Sequence, residues 1–124
     1  MGPSIGWVDI PGQNILNVTS SQTFTVQPST NLVLVNVPAG GVTIILPSSQ
    51  VFAAGAGALP GLFANVPITI VDVGGFASTS NIIIQPNNVS ETIMGLTQIT
   101  ITTNFGGFTL QPIPSQRTWN SISP

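Results

Sequence analysis

Apolar and polar residues alternate with a period of two along much of the chain. The alternation is clear at residues 23–26, 98–102 and 108–111. Successive side chains of a β-strand point to opposite faces, so this pattern predicts strands with one buried face and one half-exposed face. No stretch combines a helical period with capping residues, and we therefore expect almost no helix.

A second group of segments is apolar at nearly every position. These segments are residues 32–35, 42–46, 68–71 and 82–84. Continuous apolar runs are typical of strands that are covered on both faces. A small domain has few ways to cover both faces of a strand by itself, so the pattern favours packing between subunits.

Turn-forming residues separate the strands, and three stretches share one order of elements. Residues 32–47, 68–86 and 99–112 each read as strand, Gly-Gly turn, strand and proline. Proline has no N–H to donate to a ladder, so each second strand should end there. The repeats predict an all-β fold, a small antiparallel sandwich or barrel of repeated hairpins, with a solenoid-like stack of strands as the alternative.

The chain has one arginine, three acidic residues and no Lys, His, Cys or Tyr among its 124 residues. Without Lys, His or Cys, an active site would have to be built from Asp, Glu, Ser, Thr and the backbone. We therefore predict that the protein is not an enzyme and has no cofactor. A single arginine also excludes the phosphate contacts on which nucleic-acid binding depends.

The composition is apolar as well as poor in charged residues. Hydrophobic residues make up 42% of the chain, the mean hydropathy is +0.48 and the net charge is −2. A neutral, apolar surface tends to self-associate, so we expect an oligomer or a larger assembly. No run of about 20 apolar residues is present, and we predict no membrane span.

Two acidic residues, Asp72 and Glu91, lie in the body of the predicted fold. They could form a catalytic pair or a metal site, but the expectation is a turn aspartate that caps its own backbone and an exposed loop glutamate. A calcium site needs more oxygen ligands than these two carboxylates supply, so we predict no metal. The Thr-x-Thr pairs at 23/25 and 100/102 could form an ice-binding ladder, but threonine is also an ordinary strand residue.

The order of short motifs between residues 32 and 122 resembles a known family. The motifs are V-T-x-x-L-P, I-T-I-x-D with a glycine turn, N-I-I-I-x-P, E-T-I-x-G, F-T-L and a closing tryptophan. This order is similar to β-rich modules of tailed-phage virion proteins, among them tail fibres, tail spikes and head-decoration or head-fibre proteins. The resemblance implies a homotrimer with an apolar core between subunits, and it carries over no catalytic residue.

The chain departs from that family where members often carry lysine and more charge. Here Val71 and residues 115–116 stand at those places. The departure favours a chain that packs against other proteins over one with an exposed glycan-binding surface.

We therefore predict a structural bacteriophage virion protein, a capsid decoration or cement protein or a head-fibre base. The alternative is a tail fibre, another tail component or a host-glycan adhesion module, and an ice-binding or other secreted β-protein is a more distant one. The expected partners are two further copies in a homotrimer and the major capsid protein or other virion proteins. Assembly would take place in the host cytoplasm.

Residues 1–18 are predicted to be an N-terminal arm, and residues 19–124 a β-rich trimerising domain. The arm is irregular and apolar, so we expect it to attach the trimer to the particle through Ile5, Trp7, Val8 and Ile10. The expected trimer interface consists of aliphatic residues from the doubly apolar strands, namely Leu32, Leu34, Ile44, Ile70 and Ile83.

Overall fold

A computed structural model describes residues 14–52 and 67–122 of the chain. Within these ranges the chain forms strands joined by short turns and two short 3-10 segments, Ser49–Phe52 and Pro114–Gln116. The strands are β1 (Ile15–Val18), β2 (Thr23–Thr25), β3 (Leu32–Val35), β4 (Val42–Ile45), β5 (Ile68–Asp72), β6 (Ile82–Gln85), β7 (Thr92–Ile93), β8 (Ile99–Ile101), β9 (Gly107–Ile113) and β10 (Thr118–Ser121).

The strands form two mixed sheets. The larger sheet has the order β1-β3-β5-β9-β10-β7, and the smaller has the order β2-β4-β6-β8. From β1 to β6 the chain crosses from one sheet to the other after every strand. As a result β1, β3 and β5 are parallel neighbours in the larger sheet, and β2, β4 and β6 are parallel neighbours in the smaller one. These six strands are three stacked turns of a flattened solenoid.

The remaining strands extend the solenoid with antiparallel pairs. Strand β8 pairs antiparallel with β6, and β9 pairs antiparallel with β5. Strand β10 returns beside β9 in a hairpin, and β7 lies parallel to β10 at the edge of the larger sheet. The larger sheet is therefore two strands wider than the smaller one.

The prediction of an all-β fold is confirmed, but the prediction of antiparallel repeated hairpins is wrong. The two strands of each predicted hairpin, β3 with β4, β5 with β6 and β8 with β9, lie in different sheets. Each Gly-Gly turn is therefore an arch that connects the two sheets. A tight turn and an arch use the same glycine-rich chemistry, so the local sequence did not distinguish them. The solenoid-like alternative describes the first three turns of the chain.

Four of the connections between the two sheets lie along one edge of the sandwich, which we call the arch edge, and these four are the arches named below. It consists of residues 19–22, 36–41, 73–81 and 102–106. The parallel strands β1, β3 and β5 all enter their arches from the same direction, and the antiparallel strand β8 ends at the same side.

The core lies between the sheets and is almost entirely aliphatic. Inward side chains such as Val33, Ile44, Ile70 and Ile84 are fully buried. Burial of one such side chain contributes about 1.5–3 kcal/mol. At the end where the larger sheet is wider, Phe52 meets Trp119 in an edge-to-face contact with ring centroids 5.6 Å apart. The segment Ser49–Phe52 therefore covers the part of the larger sheet that the smaller sheet does not reach.

The boundary of the predicted N-terminal arm differs from the structure. The predicted arm includes residues Ile15–Val18, but these residues form β1 and pair with Leu32–Val35 of β3. The four residues alternate between the two faces of the sheet, and Val18 is fully buried. Residues 1–13 lie outside the described residues.

Candidate interaction surfaces and buried carboxylates

Asp72 ends β5 and holds the arch edge together. Its side chain is only 1% exposed. The Oδ1 atom accepts a hydrogen bond from the Gly75 amide at 3.1 Å. The Oδ2 atom accepts two more, from the Ala77 amide at 2.9 Å and the Phe105 amide at 3.0 Å. The carboxylate therefore caps its own arch, as predicted, and also connects that arch to the next one.

Two opposing effects act on the pKa of Asp72. Burial raises the pKa, while hydrogen bonds from the backbone amides of Ala77, Phe105, Phe76 and Gly75 lower it. The hydrogen bonds prevail, and the pKa lies below its ordinary value because the backbone amides stabilise the ionised form. A carboxylate in this state is a structural anion.

Glu91 precedes β7, and the prediction that it is exposed is wrong. It is 2% exposed, and its Oε2 atom accepts a hydrogen bond from the Ser48 hydroxyl at 2.6 Å. Its Oε1 atom accepts one from the Ser49 amide at 2.9 Å. The carboxylate thus connects the loop before β7 to the start of the 3-10 segment. The contacting residues are more than forty positions apart in sequence, so no local pattern could have indicated the contact.

The two carboxylates do not form a joint site. Asp72 binds backbone amides of the arch edge, whereas Glu91 binds Ser48 and Ser49, and none of these partners is shared. Among the described residues no cluster of three or more His, Cys, Asp or Glu is placed to hold a metal ion.

Phe105 is a feature that the sequence analysis missed. It adopts a left-handed backbone conformation with φ of 62°, and its side chain is 69% exposed. A bulky residue rarely adopts this conformation, and it persists only where neighbouring contacts impose it. Here the Asp72 carboxylate binds the Phe105 amide, and the Asn104 side chain accepts a hydrogen bond from the Ser78 amide at 2.8 Å. The sequence Asn-Phe-Gly-Gly at residues 104–107, which is typical of a tight turn, was the signal from which this conformation could have been predicted.

The outer side of the larger sheet carries an aliphatic patch, which we call the leucine face. One row of in-register residues runs Ile15, Leu32, Thr69 and Thr109, and the next runs Asn17, Leu34, Val71 and Gly107. Leu32, Leu34 and Val71 are half-buried, and Ile15 is 52% exposed. The four aliphatic side chains of Ile15, Leu32, Leu34 and Val71 are therefore contiguous across three strands.

The outer side of the smaller sheet is more polar, and we call it the threonine face. Its in-register rows are Thr23, Thr43, Ile83 and Thr100, followed by Thr25, Ile45 and Gln85. Where this face meets the arch edge there is an open groove of about 440 Å³. The groove is uncharged and is lined by Ser21, Gln22, Thr23, Gly40, Gly41, Val42, Thr43, Thr79, Asn81 and Ile83.

The residues predicted for the trimer interface fall into three groups. Leu32 and Leu34 lie on the leucine face, and Ile83 lies on the opposite, threonine face. Ile44 and Ile70 are 0% exposed and pack in the core of a single chain, so neither side chain can reach a second copy in this fold. The predicted attachment residues Ile5, Trp7, Val8 and Ile10 lie outside the described residues.

Comparison with known proteins returned no match to any protein-family model or to any curated protein sequence. In the described part of the chain, no helix has the length and apolar character needed to cross a membrane.

Proposed function

We propose that this chain is a structural protein of a tailed-bacteriophage virion, a capsid decoration or cement protein or the base of a head fibre. The observation that carries the proposal is where the charges of the described residues lie. Both described carboxylates are buried and bind groups of the fold. Arg117 is exposed in the turn before β10, and the outward-facing rows of strand residues in both sheets are uncharged and partly apolar. Such a surface suits a protein that is permanently packed against others.

The same observation supports a non-enzymatic role. A general acid or base must be able to reach the proton that it transfers. The oxygens of Asp72 are occupied by three backbone amides, and those of Glu91 by a hydroxyl and an amide. Neither carboxylate is free to exchange a proton with a bound substrate without breaking contacts of the fold.

The assembly proposed for the virion is a homotrimer that contacts the major capsid protein or other virion proteins. Within the trimer, Leu32 and Leu34 are the predicted interface residues on the leucine face. The N-terminal residues Ile5, Trp7, Val8 and Ile10 are proposed to attach the trimer to the particle, since an apolar segment gains contact area when it is ordered on a partner.

The attachment proposal is tested with particles that lack the protein. The full chain and a chain without residues 1–12 are each added to bare particles, and binding is measured by co-sedimentation. We expect the full chain to bind at a fixed stoichiometry and the shortened chain to remain free while it keeps its circular dichroism spectrum. A map of the decorated particle then gives the position of the protein. Equal binding by both chains would contradict this proposal and would show that the attachment surface lies on the sandwich.

A tail or host-glycan adhesion role is the second candidate, and the groove on the threonine face favours it. Its lining of hydroxyl, amide and backbone groups without charge matches the chemistry of a neutral saccharide. The discriminating experiment is glycan binding by the wild type and by Thr43→Val, which removes one hydroxyl from the groove with little change in shape. Saturable binding that weakens in this variant would favour the adhesion role over the decoration role.

A further inference from the structure

The first turn of the solenoid ends in an open strand edge. Strand β2 is the outermost strand of the smaller sheet, and among the described residues only β4 pairs with it. The Val26 amide, directly after β2, donates a hydrogen bond to the Ile45 carbonyl of β4 at 2.8 Å. Backbone groups alternate between the two sides of a strand, so the N–H and C=O groups of Thr23 and Thr25 point away from β4. Backbone groups on such an edge are a template for pairing with a further strand.

The core is also uncovered at this end. Leu16 of β1 and Phe24 of β2 point inward, but both are only half-buried. Their in-register neighbours in the second turn, Val33 and Ile44, are 0% exposed. Each turn of a solenoid is covered by the turns on either side of it, and the outermost turn needs a separate cover. One further strand beside β2 would cover Phe24 and pair the open edge.

The connection that leads into β1 has the same sequence pattern as the one that leads into β3. Residues 11–14 read Pro-Gly-Gln-Asn, and residues 28–31 read Pro-Ser-Thr-Asn. The two asparagines are neighbours, since the Asn31 amide donates to the Asn14 carbonyl at 3.0 Å and the Asn14 amide donates to Asn31 Oδ1 at 3.2 Å. Residues 28–31 bring the chain from β2 in the smaller sheet to β3 in the larger sheet. By this repeat, the chain should also reach β1 from a strand of the smaller sheet.

Residues 7–10, Trp-Val-Asp-Ile, have the sequence that such a strand needs. Val8 and Ile10 are two positions apart, so both apolar side chains would point to the core. Asp9 would then point outward beside Thr25, on the more polar outer side of the smaller sheet. The opposite register would bury the Asp9 carboxylate in an aliphatic core, which is strongly unfavourable.

We infer that the outer edge of β2 is a strand-acceptor site and that its occupant is residues 7–10 of the same chain, paired parallel to β2. Asn14 is held in the first turn, because its side chain also donates to the Ser29 carbonyl at 3.1 Å. Residues 11–13 therefore need only cross from one sheet to the other, as residues 28–30 do in the next turn.

The inference goes beyond the virion role and does not depend on it. It narrows the proposed particle attachment, because Val8 and Ile10 would lie in the core of the sandwich. Ile5 and Trp7 would then be the residues left to contact a particle. A chain that fails to bind particles would leave the strand-acceptor site unaffected, so the two proposals fail separately.

Paired cysteines test the occupant, because the chain contains no cysteine of its own. Neighbouring strands lie about 4.8 Å apart, and a disulfide joins Cα atoms that are about 4.4–6.8 Å apart. We expect Asp9→Cys with Thr25→Cys to form a disulfide within one chain under mild oxidation. The matched control is Asp9→Cys with Asn17→Cys, which should stay reduced because Asn17 is an exposed residue of β1 in the other sheet. Preferential closure of the control would place the segment against β1 and overturn the inference.

A mixture of two single variants distinguishes the same chain from a neighbouring copy. Chains with Asp9→Cys and chains with Thr25→Cys are unfolded, mixed, refolded together and oxidised. We expect the mixture to remain monomeric on a denaturing gel. Covalent dimers that form as readily as the disulfide within one chain would show that a neighbouring copy supplies the strand, and the inference would be wrong.

Hydrogen exchange measures the strand edge itself. The amides of Thr23 and Thr25 should exchange at least about tenfold more slowly in the full chain than in a chain without residues 1–13, the factor for a hydrogen bond of about 1.4 kcal/mol. The Val42 amide, which donates to the Asn81 carbonyl, is the control and should be protected in both chains. Slow exchange of both threonine amides supports the inference even if the disulfide is too strained to close. Rapid exchange in the full chain, or equal protection in the two chains, overturns it.

A third comparison does not require the shortened chain to fold. Val8→Asn should lower the urea midpoint of unfolding, because it places an amide in the core. Asp9→Asn, the same substitution at the adjacent outward position, should leave the midpoint nearly unchanged. A segment that contacts only a particle would leave both midpoints unchanged, and that result would refute the strand assignment.

Discussion

The Asp72 carboxylate accepts a hydrogen bond from the backbone amide of Phe105 at 3.0 Å, across 33 positions of sequence. This bond joins the arch after β5 to the arch after β8, and thereby connects the last turn of the solenoid to the antiparallel strands that follow it. The same bond holds Phe105 in its left-handed conformation at the surface. The buried Asp72 carboxylate therefore joins two arches and fixes the backbone of the exposed Phe105.

Replacement of Asp72 should weaken the fold. In Asp72→Asn one oxygen becomes an NH₂ group that faces backbone N–H donors, so at least one amide at the arch edge is left without its acceptor. We expect the free energy of unfolding to fall by about 2 kcal/mol, which is typical of the loss of a hydrogen bond to a charged group. Urea denaturation followed by circular dichroism measures the change. Ser78→Ala on the same arch should be close to neutral, and equal losses in the two variants would contradict the role of the carboxylate.

The stability of the protein should depend on pH through Asp72. Its pKa in the folded state is lowered below the ordinary value, so the ionised form is favoured by folding. The resulting stability is fully present above the unfolded-state pKa of about 3.9 and is lost as the pH falls through the folded pKa. The wild type should therefore lose stability on acidification below about pH 4. Asp72→Asn should show a shallower decline over the same range, and parallel curves would refute this assignment.

Gly75 should be less tolerant of a side chain than Gly95, although both have φ of +78°. A Cβ atom at Gly75 would collide with the ring of Phe105, whereas a Cβ atom at Gly95 would have no heavy atom within 4 Å beyond its own residue and its two chain neighbours. Gly95→Ala should cost about 1–2 kcal/mol from backbone strain alone, and Gly75→Ala should cost more. In a Phe105→Ala background the two substitutions should cost the same, because the collision is gone. Thermal or urea unfolding of the five variants checks this, and an excess cost at Gly75 that survives removal of the ring would disprove it.

The edge-to-face contact between Phe52 and Trp119 should contribute beyond simple burial. The ring planes are inclined at 85°, and Trp119 is fully buried. Aromatic pairs of this geometry couple by about 0.5–1.5 kcal/mol. A double-mutant cycle with Phe52→Leu and Trp119→Leu, measured by urea denaturation, should return a coupling of that size. Strictly additive losses would mean that the two rings stabilise the fold independently.

The positions of the strands could be predicted from the sequence, because alternation with a period of two and the Gly/Pro turns are local properties. The pairing of those strands could not. The turn at Gly40 and Gly41 has glycines with φ of +92° and +71°, which the turn of a hairpin and an arch between sheets can both use. Whether β3 pairs with β4 or with β1 and β5 depends on contacts with strands that are distant in sequence.

The candidate interaction surfaces were likewise only partly predictable from the sequence. From the sequence alone one can predict an all-β chain with few charged residues and with more aliphatic strand surface than a single core can hide. The folded chain is needed to see that Ile44 and Ile70 point into the core. It also shows that Leu32 and Leu34 point out of the core. A strand that is apolar on both sides has no local signal for its inner face, and a shift of one residue exchanges the two faces. The burial of Glu91 was decided in the same way, because its partners Ser48 and Ser49 come near it only when the chain folds.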